Sequence, residues 1–188
     1  MTLSSEEQSR LLGAVAREGS RRDLALLTLA LGTGLRLREL VGLNVGDVAT
    51  KSGEVAWKVV LPNGITKGRR GGVAFLSERV RSAVADHLAS KRVIDESMAQ
   101  KAPLFVSIQF HRISLRRVQI IFRKWQATAG IERVYHFHAL RHTAITNVYR
   151  ATKDLFLTQR FARHANPITT VAYTHPSDEE LYAQIGRL

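Results

Sequence analysis

Residues 136–175 read HFHALRHTAITNVYRATKDLFLTQRFARHANPITTVAYTH. Inside this stretch, HALRHTAITNVYRA has the pattern of a helix, so His138 and Arg141, three apart, share one of its faces. The helical pattern breaks and restarts before His164 and Tyr173. Imidazole, guanidinium and phenol side chains thus converge near the end of the chain, and the preceding residues read as the frame that holds them.

The chain of 188 residues is long enough for one domain with a single core. Its 45% hydrophobic and 23% charged residues are those of a globular protein, not of a disordered or fibrous one. No apolar run reaches the length of a membrane helix, and MTLSSEEQSR is not a signal peptide. Cysteine is absent, which excludes disulfides and thiolate chemistry and fits a cytoplasmic protein. Lys and Arg outnumber Asp and Glu 28 to 16, for a formal charge of +12. A compact domain this basic is expected to meet a polyanion, most often nucleic acid.

Ser4 and Glu7 form a capping-box pattern that opens a first helix, running to Glu18 and ended by Gly19. Asp23 is expected to cap DLALLTLALGTG, apolar all round and therefore a central buried helix. After the Thr33-Gly34 break, LRLRELVGLN starts a third helix with Leu37, Leu40 and Val41 inward. Arg36 stands at its start, against the helix dipole, where either a phosphate or Glu39 would favour it. From Val45 the period changes: Val55, Trp57, Val59 and Leu61 alternate onto one strand face. Two further short strands around the basic turn TKGRRGG complete a three-stranded antiparallel sheet with Lys67 at its tip. Arg69 and Arg70 flank that tip. Ser77 opens a helix carrying Val80, Val84 and Leu88. Ser114 caps SLRRVQIIFRKWQATAG, apolar along Leu115, Val118, Ile121, Phe122 and Trp125. Its opposite face carries Arg116, Arg117, Arg123 and Lys124, placed to lie along a phosphate backbone. The closing SDEELYAQIGRL reads as a short amphipathic helix with Leu181, Ile185 and Tyr182 apolar. The fold class is α+β, mostly α, in a single domain over 1–188.

His136, His138 and His142 have spacings that could hold a metal, but no carboxylate lies near and Arg141 sits between them, so no metal is expected. A hydrolase triad lacks its acid and nucleophile elbow. Two arginines could instead neutralise the equatorial oxygens of a five-coordinate phosphorus, with Tyr173 as nucleophile and Lys67 as acid for the leaving oxygen.

Those residues resemble the catalytic domain of the tyrosine recombinases, the phage-integrase family. TGLRLREL at 33–40 resembles its first arginine box and TKGRRGGVAFL its lysine hairpin. HALRHT at 138–143 is similar to its H-x-x-R box, and ARH…TTVAYTH at 162–175 to its histidine-then-tyrosine ending. Four boxes in the right order are specific where each alone is weak. The resemblance implies that Arg36 and Arg141 clamp the phosphate and that Lys67 protonates the 5′-hydroxyl. It gives His138 and His164 the transition state, with His138 also a proton acceptor, and makes Tyr173 the nucleophile of a 3′-phosphotyrosyl link. Glu39 and Asp47 match acidic positions of the first box and are assigned to holding arginines. The implied protein is a site-specific recombinase of cytoplasmic, nucleoid-associated prokaryotic or phage type. It acts on double-stranded DNA without cofactor or metal, is a monomer in solution and assembles with other protomers on DNA. A DNA-binding protein that has lost catalysis and a type IB topoisomerase-like enzyme are the alternatives. Two departures stand out. Ala162-Arg163-His164 replaces the family's Leu-Gly-His, so that Arg163 is expected to alter packing or add a phosphate contact. The family's N-terminal core-binding domain is not expected within 1–188, whether the chain is an excised fragment or a natural protein with half a clamp. In either case DNA binding by this chain is expected to be weak and salt-dependent.

Overall fold

The structure, a computed structural model, describes residues 2–50, 52–64, 71–174, 182, 185 and 186. Helix α1 (Ser5–Glu18) opens with the expected capping box: the Ser4 hydroxyl accepts from the Glu7 N–H at 3.1 Å, and Glu7 accepts from the Ser4 N–H at 2.7 Å. Leu11, Leu12 and Val15 face the core, and Gly19 ends the helix.

Helix α2 (Arg21–Thr33) is the central element, and its cap differs from the sequence expectation. Ser20 caps it, accepting from the Asp23 N–H at 3.2 Å. Asp23 lies within the first turn, buried, because its carboxylate has another partner: the Trp125 indole N–H donates to it at 2.9 Å. Ala25, Leu26, Leu27, Leu29 and Ala30 are fully buried, as expected for a helix apolar all round. Around α2 pack α1, α3 (Leu37–Gly42), α5 (Glu78–Val93) and α7 (His138–Thr152). Gly34, at φ 59°, ends α2 in the left-handed region that glycine enters without strain. The chain can therefore turn at once into Arg36, the N-cap of α3. A single turn, α4 (Val45–Val48), follows, and Asp47 accepts from the Asn44 N–H at 2.7 Å. Asp47 thus holds a helix start, not an arginine.

Strands β1 (Lys58–Leu61) and β2 (Gly72–Phe75) pair antiparallel, Val59 opposite Ala74 and Leu61 opposite Gly72. Val59, Leu61 and Ala74 turn inward. The described residues thus contain two strands; the expected middle strand and the tip with Lys67, Arg69 and Arg70 lie outside them. Trp57 departs from the alternation expected of it. It sits at a bend before β1, 60% exposed, stacked on Phe75 at 5.7 Å, because Val55 pairs with Ala49 outside the hairpin and the strand parity is lost between them.

Helix α6 (Leu115–Thr128) is capped by Ser114, whose hydroxyl accepts from the Arg117 N–H at 3.1 Å. Val118, Ile121, Phe122 and Trp125 are buried, while Leu115, at the first position, remains partly exposed. Arg116, Arg117, Arg123 and Lys124 face outward. Helices α7, α8 (Leu155–Ala162) and α9 (Ile168–Val171) close the described fold, α8 packed on α7 and α9 on α8. Of the expected C-terminal helix, Tyr182 and Ile185 are described, both helical and exposed. Among the described residues no helix is long and apolar enough to cross a membrane.

The Trp125–Asp23 bond joins α6 to the central helix. Trp125→Phe keeps an aromatic ring but removes the donor from a buried carboxylate. The variant is expected to lose roughly 1–3 kcal/mol of stability, read as a lower urea midpoint at unchanged m-value.

Candidate active site

The α2–α3 corner brings the first functional group into place. Glu39, 1% exposed, accepts from the Arg36 guanidinium at 2.9 Å and from the Arg36 backbone N–H at 2.9 Å. Its second oxygen also accepts from the Arg163 guanidinium at 3.2 Å. Arg36 keeps 30% of its side chain exposed, so it is held from behind and open in front. Arg163 is turned inward. Its guanidinium also donates to the carbonyls of Phe161 at 3.2 Å and Gly34 at 3.3 Å. The position expected to alter packing or add a phosphate contact is therefore occupied by a side chain that packs toward the protein's interior.

Arg141, on α7, is buried and anchored by backbone on two sides. It donates to the Gly34 carbonyl and, at 2.6 Å, to the Ala162 carbonyl. Burial, then the charges of Arg36 and Arg163, lower its pKa to about 10, which leaves it cationic at neutral pH. Three guanidiniums against the one carboxylate of Glu39 leave two net positive charges here. A site so charged attracts an anion.

Beside these cations stands the phenol of Tyr173, carried by the turn after α9, where its N–H donates to the Thr170 carbonyl at 2.9 Å. His142 lies one helical turn beyond His138 on α7 and places Nδ1 2.8 Å from the Tyr173 hydroxyl, with the rings stacked at 5.4 Å. His164 also stacks on Tyr173, at 5.9 Å, its Nδ1 held at 2.9 Å by the buried Thr170 hydroxyl. His138 stands at the start of α7, its ring perpendicular to that of His142 at 4.6 Å. All three imidazoles titrate below the usual value, each through desolvation first and nearby positive charge second, His164 falling to about 4. They are neutral at pH 7 and can accept hydrogen bonds. Burial raises the pKa of Tyr173, and the charges of Arg141 and Arg36 oppose that rise.

The structure brings together Arg36, His138, Arg141, His164 and Tyr173. Lys67, Arg69 and Arg70 lie outside the described residues. Arg116, Arg123 and Lys124 line a separate groove with His136 and Phe137, away from the phenol. Sequence reasoning passed over two residues of the cluster. His142 figured there only as a rejected metal ligand, although its spacing from His138 already placed both on one face; among the described residues no metal-binding group forms. Thr170, in the quoted TTVAYTH, carried no visible signal beyond its nearness to Tyr173.

The family model for the phage integrase family matches residues 1–180. The tyrosine recombinase XerC of Caldanaerobacter subterraneus is 33% identical over 187 residues, covering 98% of this chain and 50% of that protein. XerC of Escherichia coli O6:K15:H31 is 37% identical over 173 residues, covering 90% of this chain and 54% of its own length. This chain thus spans about half the length of the curated relatives it matches. Among solved structures, the XerA recombinase superposes with a TM-score of 0.81 at 26% identity, over 100% of this chain and 65% of that one. The XerH recombinase bound to palindromic difH substrate has the same fold, with a TM-score of 0.79 at 21% identity over 98% of this chain and 52% of its own.

Two measurements check this electrostatic account. Glu39→Ala leaves the buried Arg163 charge without its carboxylate. It is expected to cost roughly 3–5 kcal/mol in urea unfolding, against about 1 kcal/mol for Asp47→Ala, which removes only a helix-start acceptor. The second concerns pH. A histidine whose folded pKa is depressed binds its proton more readily when unfolded, so its contribution to stability is complete above pH 6.5 and falls away as pH drops. Stability is expected to decline between pH 6.5 and about 4, and less steeply in His164→Asn, as measured by urea unfolding at stepped pH.

Proposed function

The chain belongs to the phage integrase family, and on that premise we propose that it cleaves and rejoins DNA strands at specific sites through Tyr173. The observation that carries this reading is the phenol standing beside two net positive charges and three neutral imidazoles. In the proposed reaction the Tyr173 oxygen attacks a backbone phosphorus in line with the 5′-oxygen. A 3′-phosphotyrosyl bond forms as the phenol O–H and phosphorus–O5′ bonds break, a neighbouring imidazole taking the phenol proton while Lys67 supplies one to O5′. Arg36 and Arg141 stabilise the equatorial oxygens, whose negative charge grows in the transition state. They are suited to this because Glu39 and the Gly34 and Ala162 carbonyls already orient them before DNA arrives. His138 and His164 donate N–H hydrogen bonds to the same oxygens, His164 through the Nε2 that Thr170 leaves free.

The ester energy is retained in the phosphotyrosine, so a 5′-hydroxyl from a second strand can reverse the step and exchange partners. Exchange between two duplexes requires several nucleophiles, and one chain carries one Tyr173. We therefore infer a double-stranded DNA partner and assembly of protomers on it, from a monomer in free solution. Charge of +12 and the exposed arginines of α6 support contact with the phosphate backbone, together with Arg69 and Arg70.

The test is covalent trapping on nicked duplexes that lose the 5′-hydroxyl fragment after cleavage. The expected result is an SDS-stable protein–DNA adduct that persists in EDTA and is absent from Tyr173→Phe. Failure to form it on the resident element's junction DNA, with a core-binding partner supplied, would reject strand cleavage and leave a binding protein. Products joined to a second duplex, rather than relaxed circles alone, distinguish exchange from topoisomerase action.

A further inference from the structure

Among the three imidazoles around Tyr173, one has a ring nitrogen on the phenol. His142 Nδ1 lies 2.8 Å from the hydroxyl, and the two rings stack at 5.4 Å, so both distance and plane are set. His164 has committed its Nδ1 to the Thr170 hydroxyl and meets Tyr173 ring to ring. His138, exposed at the start of α7, meets His142 rather than the phenol. Helical spacing accounts for this division: His138 and His142 are four apart on one face, and Tyr173 reaches the inner of the two.

We propose that His142, rather than His138, is the catalytic residue that holds the Tyr173 nucleophile and accepts its proton during cleavage. This rests on the strand-cleavage reading above. In the resting site the neutral imidazole carries its hydrogen on Nε2, and its Nδ1 lone pair accepts from the phenol. As the Tyr173 oxygen bonds to phosphorus, the O–H bond breaks and the proton passes to Nδ1. The phosphorus–O5′ bond breaks at the same time, and O5′ takes its proton from the separate acid. When the link is reversed, the imidazolium returns its proton to the departing phenol oxygen. No oxidant or further reactant is needed.

The surroundings suit the role. Burial first, and then positive charge at His138 and Arg141, hold the His142 imidazole in its neutral, accepting form; Tyr173 stacks on it, and His164 also lies within electrostatic reach. The phenol, half-buried, keeps its proton until a phosphate approaches. Arg141 and Arg36 stand close enough to favour the phenolate once it begins to form. With the proton passed to a neighbour in direct contact, no water has to enter between the nucleophile and the phosphorus.

Two experiments on the full chain separate this inference from the reading beneath it. The first needs no DNA: the ring nitrogens of His142 are followed by 15N NMR across pH in the wild type and in Tyr173→Phe. Loss of the phenol is expected to raise the His142 pKa, because a hydrogen bond that favoured the neutral ring is gone. An unchanged His142 titration overturns the inference whether or not the chain cleaves DNA. The second uses any duplex that gives the trapped adduct, in its ordinary form and with sulfur replacing the 5′-bridging oxygen, a leaving group that needs no acid. His142→Asn places an amide where Nδ1 was, keeping the orienting contact without a basic nitrogen. It is expected to slow cleavage by about 100-fold or more on both duplexes. Lys67→Ala should recover on the sulfur duplex. Replacing Tyr173 with a difluorotyrosine, whose proton is easily lost, should restore most of the rate to His142→Asn. Full activity of His142→Asn, or its rescue by sulfur, overturns the assignment. Absence of any adduct from the wild type, with the NMR shift present, would instead reject the strand-cleavage reading.

Discussion

One buried carboxylate sets the geometry on which the site depends. Glu39 is sealed from solvent and bonded to two guanidiniums that come from opposite ends of the sequence. A lone carboxylate there would be costly to bury; paired with Arg36 and Arg163 it is compensated, and its position fixes theirs. Because Arg36 keeps a face open to solvent while Arg163 does not, the same carboxylate serves two ends. It presents one cation to a ligand and uses the other to fasten α8 to the α2–α3 corner. The ion pair is best understood as a positioning device, since buried pairs add little stability over apolar residues of the same volume.

The corner itself follows from backbone chemistry. Gly34 takes the left-handed conformation that stops α2, and its carbonyl, freed from the helix ladder, accepts from both Arg141 and Arg163. Helix ends leave carbonyls without partners. Here guanidiniums satisfy them, and in doing so are themselves aligned. The central helix, the first arginine and the second are thereby tied to one residue. A recombinase-family site that must hold positive charge close together gains rigidity from carbonyls, which attract each guanidinium where the others repel it.

Much of this was legible in the sequence because it follows from local rules. Capping residues placed α1 and α6, and periodicity placed the buried faces of α2, α5 and α6. The motif residues of the site were found by chemical type and spacing, and the structure gathers those it describes. What escaped depends on contacts distant in sequence. Asp23 looks like a cap until Trp125, 102 residues away, is seen to claim its carboxylate, leaving Ser20 to cap the helix. Trp57 looks inward by alternation until a bend shifts the parity. His142 has the same type and helix face as His138; only the placement of Tyr173, 31 residues later, makes it the phenol's partner.

Arg163 is the sharpest case, because local and tertiary preferences oppose each other there. It ends α8 at φ 56°, a conformation in which an arginine is disfavoured by about 1–2 kcal/mol and a glycine is not. Glycine is what the family resemblance leads one to expect at this position, and the left-handed backbone explains why. With glycine, Glu39 would keep Arg36 alone, and the Phe161 carbonyl would lose a donor. With arginine, the strain is offset by a buried, charge-assisted bond to Glu39. The consequence reaches the chemistry through the next residue. His164 follows directly on a backbone pinned to the corner that carries Arg36, Thr170 then locks its ring, and the turn from Thr170 sets Tyr173. A side chain turned into the protein's interior thus aligns the cation, the imidazole and the nucleophile.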